Sequence, residues 1–565
     1  MANLAYDIDG WFDSFGDAFK GKLPADHALI RAYGGQGWRV RTLGVDLALL
    51  ADQNFPYSKP QAFLECYDRT RPMPHIEPLP ELGEMARVCL NSPTLPHEPL
   101  LAIRSALHDA RELLKANENG DEDGDFESDF AAYWRHYLPR STGAAGLFGL
   151  LDAAPAMGAY IYAHNTYHCF PNKVSLRRWW QHRWDKFVRE PHRFPVLVLR
   201  RLPRPDRFPQ DTETLIAALK RYSSGGIQTV GELLRACPRR LPVVFSGRAP
   251  DNRRFNVAIE LVLKTDDKNR PLTKAKVQTK LPDEEVIQLY DAMPLDTRSL
   301  DAAHTRLADE PLAALRKKVV IVGCGALGSG IATMLAKSGI ARLTLVDPEL
   351  LGWENIRRHE LGAEWVGVPK ASALKTRLER SIPDLEKVVA YTGTIQTALV
   401  STPNIMADAD LVISATGDWA GDVFLNDTIR GREPTLPILY TWTEAFALAT
   451  HAVLLPGVKG QLTDGFDASG SFKGQASHAA RKTPPECGNA TSPFGAIEVS
   501  QSQSLAVRLA LEFLGGRHQD TDVWRTWTSE QSTLIDAEGR WSEYWLGKRG
   551  SPPPFGGISE GAWAF

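Results

Sequence analysis

The chain has 565 residues, of which 43% are hydrophobic and 24% charged, and its formal net charge is −3. This length predicts three or four domains, and the near-neutral charge argues against a general nucleic-acid binder. No apolar run is long enough to predict a membrane span, and the acidic N-terminus lacks the apolar core of a signal peptide.

The cysteines argue against a zinc site of the usual spacing, because no C-x-x-C pair occurs among them. There are six: Cys66, Cys89, Cys169, Cys237, Cys324 and Cys487. Scattered thiols are typical of the reducing cytoplasm, where we expect this protein to be located.

Residues 1–25 place aromatic side chains at roughly helical spacing. They are Trp11, Phe12, Phe15 and Phe19. The spacing predicts a helix that packs on its own domain, and a helix that docks on a partner is the alternative.

Residues 26–116 begin with strand-like runs at 38–43 and 61–66 and end in a long amphipathic helix from about Leu100 to Leu114. Phe55-Pro56-Tyr57 and Pro60 lie between the two runs, and Arg87-Val88-Cys89-Leu90 precedes the helix. This order resembles the ubiquitin-conjugating fold, whose pattern is F-P-x-x-Y-P, strands, H-P-N, G-x-x-C-L and helices. The resemblance implies an α+β domain over residues 1–116, with Cys89 as the residue that carries an acyl group.

One departure from that pattern concerns the oxyanion donor. The family's Asn, a few residues before the cysteine, stabilises the oxyanion, but no H-P-N occurs here; Ile76-Glu77 follows His75. Asn91 and backbone N–H groups are the candidates for this role. The alternative for Cys89 is a buried small apolar residue, and we expect Cys66, inside an apolar run, to be structural.

Residues 117–300 predict an α+β linker domain. An acidic run at 117–129 indicates a solvated linker or loop, and strand-like runs occur at 195–199, 242–245 and 255–263. The stretch 175–186 mixes Arg with Trp, which favours a protein interface over nucleic acid. We expect Cys169 and Cys237 to be ordinary core residues.

The last third opens with a strand, a glycine turn, a helix and a second strand that ends at Asp347. Gly323 allows the tight turn, Gly325 lets backbone N–H groups reach a phosphate, and Gly328 packs helix on strand. Asp347 lies 19 positions after Gly328, where a carboxylate can hold ribose hydroxyls. These features predict nucleotide binding, and an NAD-dependent oxidoreductase would share them. Cys324 lies inside the turn, where we expect it to serve packing.

Polar residues beyond Asp347 distinguish an NAD-dependent oxidoreductase from an enzyme that uses ATP. The run Asn355-Ile-Arg-Arg358-His359 is followed by Lys370. Hydride transfer does not need these cations, whereas attack of a carboxylate on the α-phosphate of ATP does, because charge builds on the phosphoryl oxygens. The stretch from Leu312 to Gly516 resembles the ThiF/MoeB/ubiquitin-activating superfamily, with its G-x-G-x-L-G, D, N-x-x-R-Q and G-x-P-K motifs. The resemblance implies a Rossmann-like adenylation domain over residues 301–565 that binds ATP, and a multidomain α/β chain overall.

The metal position departs from this family by one residue. The family continues its next strand with T-D-N, whose Asp holds magnesium, and this chain has Thr416-Gly417-Asp418. Asp418 is therefore the candidate ligand of Mg²⁺, and a helix N-cap is the alternative role.

A Pro/Gly-rich loop before a late helix carries Cys487. Many members of the superfamily form a thioester on such a loop, and a thiol just before a helix can have a lowered pKa. Cys487 is the candidate thioester former, and a buried structural thiol is the alternative. Arg306 is the candidate for an arginine that crosses a dimer interface to ATP.

The two resemblances together imply a relay. A protein's C-terminal carboxylate becomes an acyl-adenylate, Cys487 takes the acyl group, Cys89 receives it, and a target lysine amine accepts it. The combination resembles bacterial fusion enzymes of antiphage CBASS operons, with a nucleotide cyclase or a ubiquitin-like protein as the carried protein. A homodimer is expected. The rivals are a sulfur-carrier adenylyltransferase without a conjugating step, an NAD oxidoreductase and a non-enzymatic scaffold.

Overall fold

A computed structural model provides the coordinates of the 565-residue chain. The structure describes residues 8–90, 98–138, 146–150, 156–184, 190–236, 238–250, 254–265, 281–295, 297–300, 317–382, 385–431, 436–457, 460–479 and 494–565. It divides the chain into two compact units. The first comprises Met1–Arg178 and Phe187–Ala303, and the second comprises Trp179–Lys186 and His304–Phe565.

The strands of the first unit are β1 (Phe19–Lys22), β2 (Gln36–Thr42), β3 (Val45–Ala51), β4 (Gln61–Leu64), β5 (Ile76–Pro78), β6 (Ala86–Val88), β7 (Gly146–Leu150), β8 (Met157–Ala163), β9 (Thr166–Phe170), β10 (His192–Val198), β11 (Arg240–Arg248), β12 (Arg254–Leu263), β13 (Tyr290–Leu295) and β14 (Thr297–Leu300). The strands of the second unit are β15 (Lys318–Val322), β16 (Arg342–Val346), β17 (Lys387–Tyr391), β18 (Leu411–Ser414), β19 (Ile438–Thr443), β20 (Ala449–Leu455), β21 (Ser477–Ala479), β22 (Val523–Thr528), β23 (Gly539–Trp541) and β24 (Gly557–Gly561).

The helices of the first unit are α1 (Ile8–Asp13), α2 (Ala28–Tyr33), α3 (Pro99–Asn119), α4 (Asp125–Ser128), α5 (Phe130–Tyr137), α7 (Thr212–Tyr222), α8 (Gly226–Leu234) and α9 (Asp283–Gln288). Helix α6 (Lys173–Trp184) is divided between the two units. The remaining helices of the second unit are α10 (Ala326–Lys337), α11 (Lys370–Ser381), α12 (Ile395–Ser401), α13 (Trp419–Arg430), α14 (Ala496–Leu514), α15 (Gln531–Asp536) and α16 (Glu543–Arg549). None of the described helices is both long and apolar enough to cross a membrane.

The first sheet is antiparallel, with the order β1-β2-β3-β4-β6-β5. Helix α3 begins at Pro99, a position that suits proline because its missing N–H would have no partner there. Its Ile103 and Leu107 are buried against the sheet at helical spacing. Phe12 of α1 is fully buried and stacks on Trp38 with ring centroids 5.2 Å apart. The N-terminal helix therefore packs on its own domain, as predicted, but it ends at Asp13, and Phe19 lies in β1 rather than in the helix.

The second sheet of the first unit is mixed, with the order β13-β12-β11-β10-β8-β9-β7-β14. It confirms the strand-like runs that the sequence placed in β10, β11 and β12. Helix α5 contributes to the cores beside both sheets. Its Phe130 and Trp134 pack in the core of the second sheet, and its Tyr137 packs against the core of the first.

The acidic run at 117–129 is not one continuous loop. It includes the last residues of α3, which ends at Asn119, and the short helix α4. Helix α3 stops there because Gly120 adopts the left-handed conformation, with φ +76°, that closes a helix C-terminus.

The sheet of the second unit places five parallel strands in the order β17-β16-β15-β18-β19, and antiparallel β20, β22 and β24 extend it. Val319 and Ile321 of β15 pack on the side of helices α10, α11 and α14, whereas Val320 and Val322 pack on the side of α12 and α13. Helices on both faces explain why β15 is a continuous apolar run. The strand order reverses between β15 and β18, and in such sheets ligands bind outside the carboxyl ends of the strands at that point.

Candidate functional site

The glycine turn lies at the reversal point of the second unit's sheet. Gly323 has φ +86°, and a Cβ there would lie 2.6 Å from the carbonyl oxygen of Ala415, which follows β18. A Cβ on Gly328 would lie 1.8 Å from the carbonyl oxygen of Gly323. Both positions therefore require glycine, and they hold the start of α10 against β15 and β18.

Gly325 faces open space, since no described atom lies within 4 Å of where its Cβ would be. It is the N-cap of α10 and offers no side chain to the first N–H groups of that helix. Exposed N–H groups at a helix N-terminus favour a negatively charged group, so this end of α10 suits a phosphate.

Asp347 follows β16 and is 5% exposed. Its carboxylate accepts hydrogen bonds from the backbone N–H of Cys324 at 2.7 Å and of Glu349 at 2.8 Å. Burial raises the pKa of this carboxyl, while those two N–H donors and Lys370 act in the opposite direction. Each carboxylate oxygen has a second lone pair, so Asp347 can brace the turn and still accept ribose hydroxyls.

Lys370 is the first residue of α11 and is 4% exposed. Its ammonium group pairs with the carboxylate of Glu349, whose side chain is 66% exposed. Because Glu349 follows Asp347 by two residues, the buried cation lies beside the carboxyl end of β16.

Asn355 and Arg358 lie on the crossover between β16 and α11. The side-chain oxygen of Asn355 accepts the N–H of Gly352 at 3.0 Å and closes a short turn. The guanidinium of Arg358 lies 4.9 Å from the ring centroid of Phe494, next to the N-terminus of α14. Phe494 is the first described residue after 480–493, the segment that contains Cys487.

His359 is a site residue whose role the sequence did not reveal. Its Nε2 donates to the carbonyl oxygen of Cys324 at 2.6 Å, and its Nδ1 accepts from the N–H of Leu361 at 3.0 Å. Burial lowers the pKa of His359 to about 4, so its ring is neutral at pH 7. His359 therefore joins the crossover to the glycine turn and adds no positive charge there.

Asp418 occupies the N-cap of α13 and is exposed. Its two oxygens accept from the N–H groups of Ala420 at 3.2 Å and Gly421 at 3.1 Å. This is the alternative role that the sequence offered. A cap does not prevent metal binding, and the role of Asp418 in magnesium binding stays a prediction.

Asp422, one turn further along α13, was missed. It is half-buried and accepts hydrogen bonds from Ser414 at 2.5 Å and Thr416 at 2.9 Å. Burial raises its pKa to about 6. Its spacing of four residues from Asp418 could have indicated it. Across the described ranges, no group of three or more His, Cys, Asp or Glu side chains could hold a metal ion.

A buried histidine–carboxylate pair, also missed, lies after β19. His451 is 2.9 Å from Glu444, which also accepts from the N–H groups of Ala476 at 2.6 Å and Ser477 at 2.8 Å. Burial alone would raise the pKa of Glu444, but hydrogen bonds from His451, Ser477 and Ala476 lower it. The pair fixes the start of β21, the last described element before the segment with Cys487.

Several predicted residues lie outside the described residues: Asn91, Cys237, Arg306 and Cys487. Cys169 and Cys324 are fully buried, and burial raises the pKa of both thiols, which agrees with packing roles. Cys66 differs from its prediction, because β4 ends at Leu64 and Cys66 lies exposed beyond it.

Cys89 lies just after β6 in the first unit, and it is exposed. The alternative of a buried apolar residue is therefore wrong. Its backbone N–H donates to the carbonyl oxygen of His75 at 2.8 Å. Desolvation by surrounding atoms raises the pKa of the Cys89 thiol, and the Glu77 carboxylate raises it further, while Arg87 acts against both.

The acidic run packs beside Cys89. The Nε2 of His75 lies 3.6 Å from a carboxylate oxygen of Glu122 and 3.6 Å from one of Asp125. The Tyr133 hydroxyl accepts the backbone N–H of His75 at 2.9 Å and donates to Asp125 at 2.5 Å. Asn117 donates to the carbonyl oxygen of Pro74 at 2.9 Å. Residues that looked like a linker thus contact Pro74 and His75, and His75 accepts the backbone N–H of Cys89.

Comparisons with known families match both regions. Residues 303–507 match the ThiF family, and residues 28–142 match prokaryotic E2 family B.

Three curated relatives share shorter segments. The chain is 33% identical over 143 residues to an ATP-dependent ubiquitin transferase-like protein Cap2 of Pseudomonas aeruginosa, and the match covers 24% of each chain. It is 35% identical over 102 residues to the Cap2 protein of Enterobacter hormaechei, covering 18% of this chain and 17% of that one. It is 29% identical over 129 residues to the sulfur carrier protein ThiS adenylyltransferase of Bacillus subtilis, covering 22% and 36%. The chain thus spans about a quarter of the length of the first of these relatives.

Proposed function

We propose that this chain, in which a prokaryotic E2 region precedes a ThiF region, activates the C-terminus of a carried protein with ATP and conjugates it to target amines. The observation that carries the proposal is a group of residues at the reversal point of the second unit's sheet, which we call the nucleotide crevice. There the turn Gly323–Gly328, the buried Asp347 and the buried Lys370 meet at the carboxyl ends of β15 and β16.

Each of these groups suits one part of ATP. The N-terminus of α10 at Gly325 faces the phosphates, and Asp347 accepts the ribose hydroxyls. Lys370 leaves Glu349 and pairs with a phosphoryl oxygen as charge builds there, and Arg358 and Asn355 hold the neighbouring oxygens. The carboxylate of the carried protein attacks the α-phosphate, and pyrophosphate leaves.

Magnesium fits the donor set near β18. The Asp418 carboxylate is exposed at the edge of the crevice, and the Asp422 carboxylate lies one turn behind it; oxygen ligands of this kind are the ones Mg²⁺ prefers. A magnesium ion bound there would offset charge on the phosphates. Within the protein, Asp418 would contact the ion and Asp422 would hold Ser414 and Thr416 in place.

The acyl group then moves through two thiols. Cys487 displaces AMP to form a thioester, Cys89 takes the acyl group by thiol exchange, and a lysine amine on the target takes it as an amide. Because both thiols belong to one chain, the second transfer is intramolecular. The proposal extends to a homodimer in the bacterial cytoplasm that acts in antiphage defence, with a CBASS nucleotide cyclase or a ubiquitin-like protein as the carried protein.

Mass spectrometry of trapped intermediates tests the relay. Cys487→Ser and Cys89→Ser variants should each retain the carried protein as a stable ester on the new serine when ATP is present. Proteins encoded beside the gene are the donors to supply, and a donor without its last residue is the control. Acyl transfer with neither cysteine modified in the wild-type chain would contradict the relay.

A sulfur-carrier adenylyltransferase is the second candidate, favoured by the match to the ThiS adenylyltransferase of Bacillus subtilis. That activity needs the crevice and has no use for Cys89. Full conjugation by a Cys89→Ala variant would remove the relay, and adenylation without any conjugation by the wild-type chain would favour this second candidate.

A further inference from the structure

Cys89 has a proton to lose before it can act as a nucleophile. The thiolate attacks a thioester, whereas the thiol does not. Desolvation and the Glu77 carboxylate raise the pKa of this thiol, so its surroundings work against the reactive form. An H-P-N motif would not remove this proton, because its Asn stabilises the oxyanion. A base close to Cys89 would remove it.

The backbone places His75 opposite Cys89. Strands β5 and β6 pair in antiparallel register, with Ile76 opposite Val88 and Glu77 opposite Arg87. The next pair in this register is His75 and Cys89, and the N–H of Cys89 donates to the carbonyl oxygen of His75 at 2.8 Å. His75 has φ +59°, so the strand ends at this point and the ring leaves the regular pattern.

Carboxylates hold the far side of the ring. The Nε2 of His75 lies 3.6 Å from Glu122 and from Asp125, and the ring is partly exposed. Tyr133 fixes Asp125 by donating to it and fixes the His75 backbone by accepting from it. Two carboxylates therefore lie beside this imidazole. The described residues thus supply the three members of a thiol–imidazole–carboxylate arrangement.

We propose that His75 takes the proton of the Cys89 thiol as the sulfur attacks the incoming thioester, and that Glu122 and Asp125 stabilise the resulting imidazolium. This inference rests on the proposed function. The new C–S bond forms to Cys89 while the donor's C–S bond breaks, and the leaving thiolate recovers the proton from His75. No oxidant or reductant takes part.

The step requires the ring to turn toward the sulfur. No hydrogen bond joins the side chains of His75 and Cys89, both of which the structure describes. Hydrogen bonds of catalytic groups are often long or absent before substrate binds. The titratable and charged groups that face the pair within the described part of the chain come from β5, β6, α4 and α5 and their flanks: Glu77, Arg87, Glu122, Asp125, Asp129, Tyr133 and His136.

Alkylation of the full chain by iodoacetamide tests the pair without ATP or any carried protein. The rates at Cys89 and Cys66 are followed by peptide mass spectrometry in the wild type and in His75→Gln. Near neutral pH, His75→Gln should slow Cys89 alkylation about tenfold or more, and the two profiles should converge at high pH, where the thiol ionises unaided. Cys66, also exposed, is the internal standard and should be unaffected.

His108→Gln is the matched control, since His108 is exposed on α3. It should behave as the wild type does.

Superimposable pH–rate profiles for the wild type and His75→Gln would overturn the proposal. If His75→Gln unfolds, the buried Cys169 will react. The Glu122→Gln variant, which keeps His75 and leaves Asp125 in place, then decides. It should slow Cys89 alkylation several-fold, and no change would overturn the proposal. Adenylation plays no part in this alkylation assay. Failure of the proposed acyl relay and failure of His75 as a base are therefore detected by different experiments.

Discussion

His359 shows how one residue can mislead when only its type is known. In the sequence it stands among cations beyond Asp347, whereas in the fold it bridges the Cys324 carbonyl and the Leu361 N–H as a neutral ring. The sequence supplied the position and could not supply the charge state, because that depends on how deeply the tertiary fold buries the ring.

The lowered pKa of His359 predicts a loss of stability in acid. Its folded pKa of about 4 lies below its ordinary value of 6.5, so the unfolded chain binds the proton more tightly. The stabilisation is therefore complete above about pH 6.5 and is lost as the pH falls toward 4, by up to about 3 kcal/mol. Urea unfolding at several pH values should show a shallower acid decline for His359→Gln than for the wild type. Equal declines would contradict this role.

Lys370 is the residue on which adenylation should depend most. Among the described residues, the buried Lys370 has one ion-pair partner, Glu349, and that partner is exposed. Lys370 can therefore exchange Glu349 for a phosphate. Lys370→Ala should lower ATP–pyrophosphate exchange about a hundredfold or more, because an electrostatic contact to the developing charge is lost. Lys375→Ala, on the same helix α11, is the control and should keep wild-type exchange. Similar rates in both variants would exclude Lys370 from the reaction.

At the scale of elements, the glycine turn was predictable and the surroundings of Cys89 were not. The spacing of Gly323, Gly325 and Gly328 between an apolar strand and a helix is local, so the sequence contains it. The contact of Asp125 with His75 joins residues fifty positions apart, and composition alone suggested a solvated linker. The spacing of Asp422 from Asp418 is local and could have indicated it, but its raised pKa depends on burial, which the sequence does not show.

Two glycines of the turn should respond differently to alanine. In Gly328→Ala the new Cβ meets the Gly323 carbonyl oxygen at 1.8 Å, so the backbone must shift at a cost of about 3 kcal/mol or more. In Gly325→Ala the Cβ meets no described atom within 4 Å, and φ there is −74°. Thermal unfolding without ATP should therefore show a lower Tm for Gly328→Ala and a nearly unchanged one for Gly325→Ala. Equal losses would contradict the packing described for the turn.

At the scale of the whole molecule, the two proposed reactions belong to different compact units. Cys89 lies in the first unit, and the nucleotide crevice lies in the second. Each has its own core, so the sequence patterns could identify both regions independently. What local patterns could not supply is the eight-stranded sheet between them in sequence, whose order depends on long-range pairing.

This separation predicts that Cys89→Ala leaves ATP–pyrophosphate exchange unchanged and abolishes transfer to a target amine. Cys66→Ala, another exposed thiol of the same unit, should retain both activities. Loss of exchange in Cys89→Ala would show that the crevice needs the first unit for adenylation, contrary to this account.

The most direct test of the central claim is pyrophosphate exchange by the wild-type chain. Purified protein is given ATP, magnesium, labelled pyrophosphate and, in turn, each protein encoded beside its gene. The account predicts that label enters ATP with one such donor and not with the same donor lacking its C-terminal residue. Exchange with none of them, or equal exchange with the truncated donor, would contradict activation of a protein C-terminus.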